Sequence, residues 1–281
     1  MERNKRVVRT IPTRHVPHLT FHSRGMIETP RNQDTVTAAL VVIGEEILSG
    51  RTQDANTRYI AAHLSNAGIA LREVRVVADV EAEIADAVNA LRQRYSYVFT
   101  TGGIGPTHDD VTTDAIGQAF GVTVAINDEA VEAMRLQYRP EDLTPTRLRM
   151  ARIPDGAALI HNAVSRAPGY MIENVIVMAG IPGVMQVMLD EVLPRLAKGR
   201  PLKARAVRVN APESEVATPL AALQADYADV QMGSYPFVEH RRYGTYLVFR
   251  SVDDQRLGQA VDALWEIISE RGLIASQVED S

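Results

Sequence analysis

From Tyr95 to Phe120 the chain reads as an apolar run, a glycine-rich loop and a helix-patterned run. The loop is T-T-G-G-I-G-P-T-H-D-D, Thr100 to Asp110. A strand that passes through such a turn into a helix is half of a parallel βαβ unit, and it puts the loop at the carboxyl edge of a sheet. Three glycines there let backbone N–H groups approach an anion, and a phosphate is the usual guest. The paired Asp109 and Asp110 would repel a bare phosphate. A divalent cation between them and the phosphate removes that conflict, so the loop points to a metal–phosphate site. The plain structural alternative is a tight turn in which one aspartate caps the next helix. His108 reads as a loop residue.

The same alternation extends on both sides. Strand patterns lie at Ala38–Ile43, Leu71–Val77, Val122–Ile126 and Val175–Ala179. Helical periodicity covers Thr57–Ala67, with Asn56 as its cap, and Glu81–Arg94, Asp128–Tyr138, Thr144–Ile153 and Val184–Ala197. This order predicts an α/β layer with a largely parallel sheet over residues 36–200. After Lys198-Gly199-Arg200-Pro201 the order becomes β-α-β-β-α: Ala206–Asn210, Ser214–Tyr227, Val230–Tyr235, Thr245–Ser251 and Asp254–Arg271. That predicts a small α+β domain over 201–281, with helices on one face.

Composition excludes several classes. None of the 281 residues is cysteine, so disulfides, thiolate zinc sites and a cysteine nucleophile are ruled out. A net charge of −5 without a basic field argues against duplex nucleic acid, and the longest apolar run is too short to span a bilayer. There is no P-loop and no G-x-S-x-G elbow. Residues 1–35 carry seven Arg/Lys against three acids, with His15, His18 and His22. They read as a disordered tail or an upstream start, with Met26 the natural initiator; a transit peptide is the alternative.

Other candidates fall at the same predicted sheet edge. Glu45, Asp54 and Asn56 follow the Ala38–Ile43 strand, and Asp79 follows the Leu71–Val77 strand; any of the three acids could be a base, or a mere turn or cap residue. Gly180-Ile181-Pro182-Gly183 opens the Val184 helix, whose N-terminus could hold an anion. Arg147, Arg149 and Arg152 form either a solvated helix face or a source of one phosphate-binding guanidinium.

Four blocks, V-I-G-E-E-I-L-S-G-x3-D-x-N, T-T-G-G-I-G-P-T-H-D-D, N-A-V-S-R-A-P-G-Y and A-G-I-P-G, resemble the molybdopterin-binding (MoaB/MogA-like) domain. The form is that of the competence/damage-inducible protein A (CinA) family and of the N-terminal domain of eukaryotic FAD synthase. The resemblance covers about residues 37–198, and G-S-Y-P-F at Gly233–Phe237 is similar to the small domain that follows in this family. It implies a three-layer α/β/α sandwich with a mixed, mostly parallel sheet, often oligomeric. By it, phosphate contacts fall to Thr101, Gly102, Gly103, Gly105, Thr107, Asn56, Arg149, Gly169, Gly180 and Pro182, and metal contact to Asp109 or Asp110. Three positions depart from the family's habit: Glu45 stands where Asp is frequent, Ser165 where Gly is, and Arg149 where Lys is.

CinA-type members resemble metal-dependent pyrophosphatases acting on ADP-ribose-like dinucleotides, so the first expectation is a hydrolase using Mg²⁺, Mn²⁺ or Co²⁺, with Glu45, Asp54 or Asp79 as base. The second is a module that binds molybdopterin or a nucleotide phosphate without turnover. A cytoplasmic homo-oligomer with a small-molecule partner, no nucleic acid and no membrane is expected. Neither the amidase domain of long CinA proteins nor the catalytic domain of FAD synthase is expected within these residues.

Overall fold

A computed structural model describes residues 36–240 and 242–278; the expectations for residues 1–35, including the three histidines, lie outside them. The first domain runs β1 (Val36–Ile43), α1 (Glu45–Leu48), α2 (Asn56–Asn66), β2 (Ile69–Val77), α3 (Glu81–Arg92), β3 (Tyr97–Thr101), α4 (Thr112–Phe120), β4 (Val124–Ile126) and α5 (Asp128–Arg135). It continues through α6 (Pro145–Leu148), β5 (Arg152–Pro154), β6 (Ala158–Ile160), β7 (Gly169–Ile172), β8 (Val175–Met178) and α7 (Pro182–Val192). Six strands form one sheet in the order β2-β1-β3-β8-β7-β6. The first four are parallel, and β7 runs antiparallel to both neighbours.

Strand β1 shows why the sheet is covered on both sides. Ala39, Val41 and Ile43 pack with Ile84, Val88 and Leu91 of α3 and Ile116 of α4, while Leu40 and Val42 pack with Ile60 and Leu64 of α2 and Met185 and Leu189 of α7. Period two in the strand thus meets a 3.6-residue stripe on helices of both layers. The three-layer α/β/α sandwich with a mostly parallel mixed sheet is as the sequence implies.

Two stretches differ from the sequence reading. The helix expected over Thr144–Ile153 is only α6, capped by the Thr144 hydroxyl at the Arg147 N–H, followed by a 3₁₀ turn at Arg149–Ala151 and by β5, which pairs with β4. Arg152 starts the strand and pairs with Asp114 of α4, and Ala151 and Ile153 join the core, so tertiary burial overrides the helical pattern. Strands β6 and β7 were not expected at all; at three and four residues they carry almost no periodic signal.

The second domain contains β9 (Lys203–Val209), α8 (Glu213–Asp226), β10 (Gln231–Glu239), β11 (Arg242–Ser251), α9 (Asp254–Glu270) and β12 (Ala275–Val278). Its sheet has the order β10-β11-β9-β12 and is antiparallel throughout. Both helices pack on one face, against Val207, Val209, Leu247 and Phe249. The sequence reading holds apart from β12, a strand with half-exposed polar residues. Among the described residues no helix is long and apolar enough to cross a membrane.

Candidate functional site at the carboxyl edge of the sheet

Strands β1, β3 and β8 are neighbours, and each is followed by a glycine: Gly44, Gly102 and Gly180. Gly102 has φ 106° and lies so close to β1 that a Cβ would fall on the Ile43 carbonyl; a Cβ on Gly180 would come within 3.2 Å of the Gly102 Cα. Only residues without side chains let three chain segments meet here. Around them opens a cavity of about 500 Å³, lined by Glu46, Asp79, Gly102–Pro106, Asp109, Asp110, Ser165, Gly180 and Ile181 among others. That size suits a small organic ligand.

The loop glycines do different jobs. The Gly102 N–H donates to the Met178 carbonyl, and the Gly105 N–H donates to Asp110 Oδ1 at 2.7 Å. Neither is left for a phosphate, which corrects the contacts expected from the Gly102 and Gly105 N–H groups. Gly103 and Ile104 have N–H groups without an acceptor among the described residues, and so do Gly180 and Ile181, in the adjoining segment at the start of α7. The anion-binding potential therefore comes from two segments rather than from the loop alone.

The paired aspartates are also unlike each other. Asp110 caps no helix; α4 has no side-chain cap. Its carboxylate accepts from the N–H groups of Gly105 and Thr107 and from the Thr107 hydroxyl at 2.5 Å, folding the loop back on itself. Asp109 is exposed and has no such framework. Its carboxyl sits below the usual range, held there by Thr107 and by its own backbone N–H, with a smaller contribution from His108. His108 itself is 99% exposed, as a loop residue should be.

Glu45 is exposed and outside the cavity lining, whereas its neighbour Glu46 lines the wall. The Glu45 N–H donates to Asp79 Oδ2 at 2.8 Å, so Asp79 both fixes the start of α1 and faces the cavity. The roles expected for Asp54 and Asn56 are exchanged. Asp54 caps α2, accepting from the Asn56 and Thr57 N–H groups and the Thr57 hydroxyl. The Asn56 amide instead donates to the Gly180 carbonyl at 2.7 Å. Asn56 Oδ1 and the Thr101 hydroxyl are buried without a partner, and both line a side chamber of about 80 Å³ shared with Glu46, Gly180 and Pro182. Buried polar atoms are normally satisfied, so this pair marks where a ligand group or an ordered water belongs.

Three further expectations need correction. Gly169 lies within β7, where a Cβ would meet the Val177 carbonyl, so its role is sheet packing. Thr107 is engaged with Asp110 and lies outside the cavity lining. Arg149 reaches the main-chain carbonyl of Asp110 at 3.3 Å and buttresses the loop from behind, leaving its Nε buried without a partner. The arginines are not one solvated face either. Arg147 donates to the Asp142 carbonyl and lies over the Tyr138 ring, and Arg152 pairs with Asp114. What the sequence reading missed is Glu46, and the signal was available: in a helix starting at Glu45, only one of two adjacent glutamates can face the glycines.

Among the described residues no three His, Asp or Glu side chains form a ready-made metal cluster. The residues nonetheless fit a hard divalent cation of the kind held by one or two carboxylates plus the ligand's own phosphates. One or two of the cavity carboxylates Asp109, Asp79 and Glu46 would supply the protein oxygens.

This glycine-built edge and its sandwich define the class. Residues 39–198 match the family model described as "Probable molybdopterin binding domain", and the chain belongs to that family. Residues 201–277 match the model described as "FAD synthase, middle domain". The chain is similar to a protein of Archaeoglobus fulgidus, 30% identical over 83% of this chain and 98% of the relative. It is also similar to the probable FAD synthase of Caenorhabditis elegans, 28% identical over 88% of this chain, of which it spans 52%. Among solved structures it is similar to the protein CinA, of unknown function, from Thermoplasma acidophilum: 32% identity, TM-score 0.55, 58% of this chain and 98% of that one.

Proposed function

We propose that this domain binds the pyrophosphate of a nucleotide-like ligand and hydrolyses it with a divalent cation. The observation that carries the reading is the juxtaposition of unengaged N–H groups at Gly103–Ile104 and Gly180–Ile181, with Asp109, Asp79 and Glu46 on the same cavity. Backbone donors from two chain segments suit an anion with two phosphoryl groups, and carboxylates beside them suit an anion that arrives with a metal. A bound cation would offset phosphate charge and polarise a water. The protein's part is to hold the phosphoryl groups between the two segments and to take the proton of the attacking water. Glu46 and Asp79 are the carboxylates placed for that step, since Asp54 is engaged as a cap and Glu45 lies outside the cavity lining. Water would add to one phosphorus as the bridging oxygen leaves with the other. The Asn56 and Thr101 oxygens would receive a ligand hydroxyl or a bridging water.

The test uses ADP-ribose with Mg²⁺, Mn²⁺ or Co²⁺, with and without EDTA, following AMP and ribose 5-phosphate by chromatography. Metal-dependent release of both products is expected. Glu46→Gln should lower the rate by about 10²-fold, the usual worth of a proton-transferring group, and Glu45→Gln should leave it unchanged. Equal rates for the two variants would remove Glu46 from the mechanism. Metal-independent binding without any product would instead support a binding module for a pterin or nucleotide phosphate.

A further inference from the structure

The second domain's sheet has helices on one face only. Along β9, β10 and β11 the residues opposite the core are Arg208, Tyr235, Phe237, Tyr246 and Arg250, brought side by side by the pairings Tyr235–Tyr246, Phe237–Gly244 and Tyr246–Arg208. The rings do not stand up from the sheet. A Cβ on Gly244 would collide with the Phe237 ring, and one on Gly233 would lie 3.3 Å from the Tyr235 ring, so both rings lie flat over glycines. Phe237 and Tyr246 have ring centroids 4.6 Å apart, and the Arg208 guanidinium lies 4.6 Å from the Phe237 centroid. A ring laid over a glycine shields the backbone beneath it. Phe237 is covered on its other side by Arg208, which pairs with Glu239 at 2.8 Å, and Tyr246 is half-buried; the open ring is Tyr235, 48% exposed.

Charge continues the surface in one direction. Arg250 donates to the Tyr235 hydroxyl at 3.4 Å, and Arg250 and Gln231 also line a groove of about 580 Å³ that reaches Arg72 and Arg200. None of Arg72, Arg200 and Arg250 has a carboxylate partner among the described residues, and the groove's one acid, Asp229, is held by Arg256. Flat aromatic rings followed by unpaired guanidiniums match alternating bases and phosphates.

We propose that this face binds single-stranded RNA, with bases stacked on Tyr235 and Tyr246 and phosphates held by Arg250, Arg72 and Arg200. Tyr246 and Arg250 are four residues apart on one strand, about 13 Å, which requires an oligonucleotide rather than a mononucleotide. A duplex is excluded because its bases are already stacked and its rings would find no open face. The net charge of −5 argues against a protein coated by duplex; it does not bear on a local basic and aromatic strip. This site is separate from the glycine-built cavity and does not depend on what that cavity does.

Fluorescence anisotropy of the full chain with a labelled single-stranded RNA of about ten nucleotides tests the proposal. Saturable binding that weakens as salt rises is expected, with no binding of the same sequence as a duplex. Tyr235→Leu and Tyr246→Leu should each weaken binding by about tenfold or more, and Arg250→Gln should weaken it and flatten the salt dependence. Thermal melts show whether each variant is folded; should a ring variant not fold, the Arg250→Gln affinity and salt series decides alone. Absence of saturable binding, or equal affinities in wild type and folded variants, would overturn the proposal. So would sedimentation showing that the ring variants dissociate a self-associated chain that binds no RNA, because the face would then belong to a second copy.

Discussion

Replacing Gly102 by alanine is expected to destabilise the folded chain by about 3 kcal/mol or more, the sum of a strained left-handed backbone and an unrelieved contact. Two facts set the size. The φ of 106° is one that L residues rarely adopt, and the added Cβ would meet the Ile43 carbonyl of the neighbouring central strand. That oxygen is main chain at the carboxyl end of the central strand β1, which is held by pairing with β2 and β3, and cannot swing aside. Gly121 supplies the control: its φ is 66° but open space surrounds it, so Gly121→Ala carries backbone strain alone, about 1 kcal/mol. Gly103→Ala should fall between, because its φ is 67° and the new methyl would press on the Thr112 hydroxyl, which now donates to the Gly102 carbonyl. Urea unfolding of the three variants orders them. A Gly102→Ala protein no less stable than Gly121→Ala would mean that the strands do not approach as closely as described.

The difference among these glycines also shows how far the sequence could be read. T-T-G-G-I-G-P-T-H-D-D marked the loop, the flanking patterns marked the strand and helix, and together they located the site at the carboxyl edge. Which glycine N–H remained available was not legible, because it depends on Met178 and Asp110 accepting two of them, and Met178 lies some seventy residues away on β8. Asp54 and Asn56 are both good capping residues, and only the Asn56 contact to Gly180 decides between them. Strands β6 and β7 were hidden for another reason: a three-residue strand at the antiparallel end of a sheet is held by partners, not by its own pattern. In the second domain the alternation on β11, with Leu247 and Phe249 inward and Tyr246 outward, was in the sequence. The glycines that lay the rings flat acquire meaning only with the register.

Asp109 and Asp110 are adjacent and chemically identical, yet their replacement is expected to give opposite results. Asp110→Ala removes the acceptor of two N–H groups and one hydroxyl, and leaves the half-buried Gly105 N–H unsatisfied. A loss of about 1–3 kcal/mol is expected, with nucleotide binding weakened whether or not metal is present, because the Gly103–Ile104 segment is no longer held. Asp109 makes no hydrogen bond that organises the loop and is exposed. Asp109→Asn should leave stability within about 0.5 kcal/mol of wild type. It should nonetheless lower the metal-linked part of ADP-ribose affinity by at least about tenfold, as much as even indirect metal partners are worth. Calorimetric titration with and without EDTA, set beside denaturation of each variant, separates the two roles. If Asp109→Asn kept full metal-linked affinity while a stable Asp110→Asn lost it, the cation would sit on Asp110 and the fold of the loop would have to survive without that carboxylate. If neither variant changed the metal dependence, the carboxylates beside the glycines would serve the loop alone and the hydrolase reading would lose its cation.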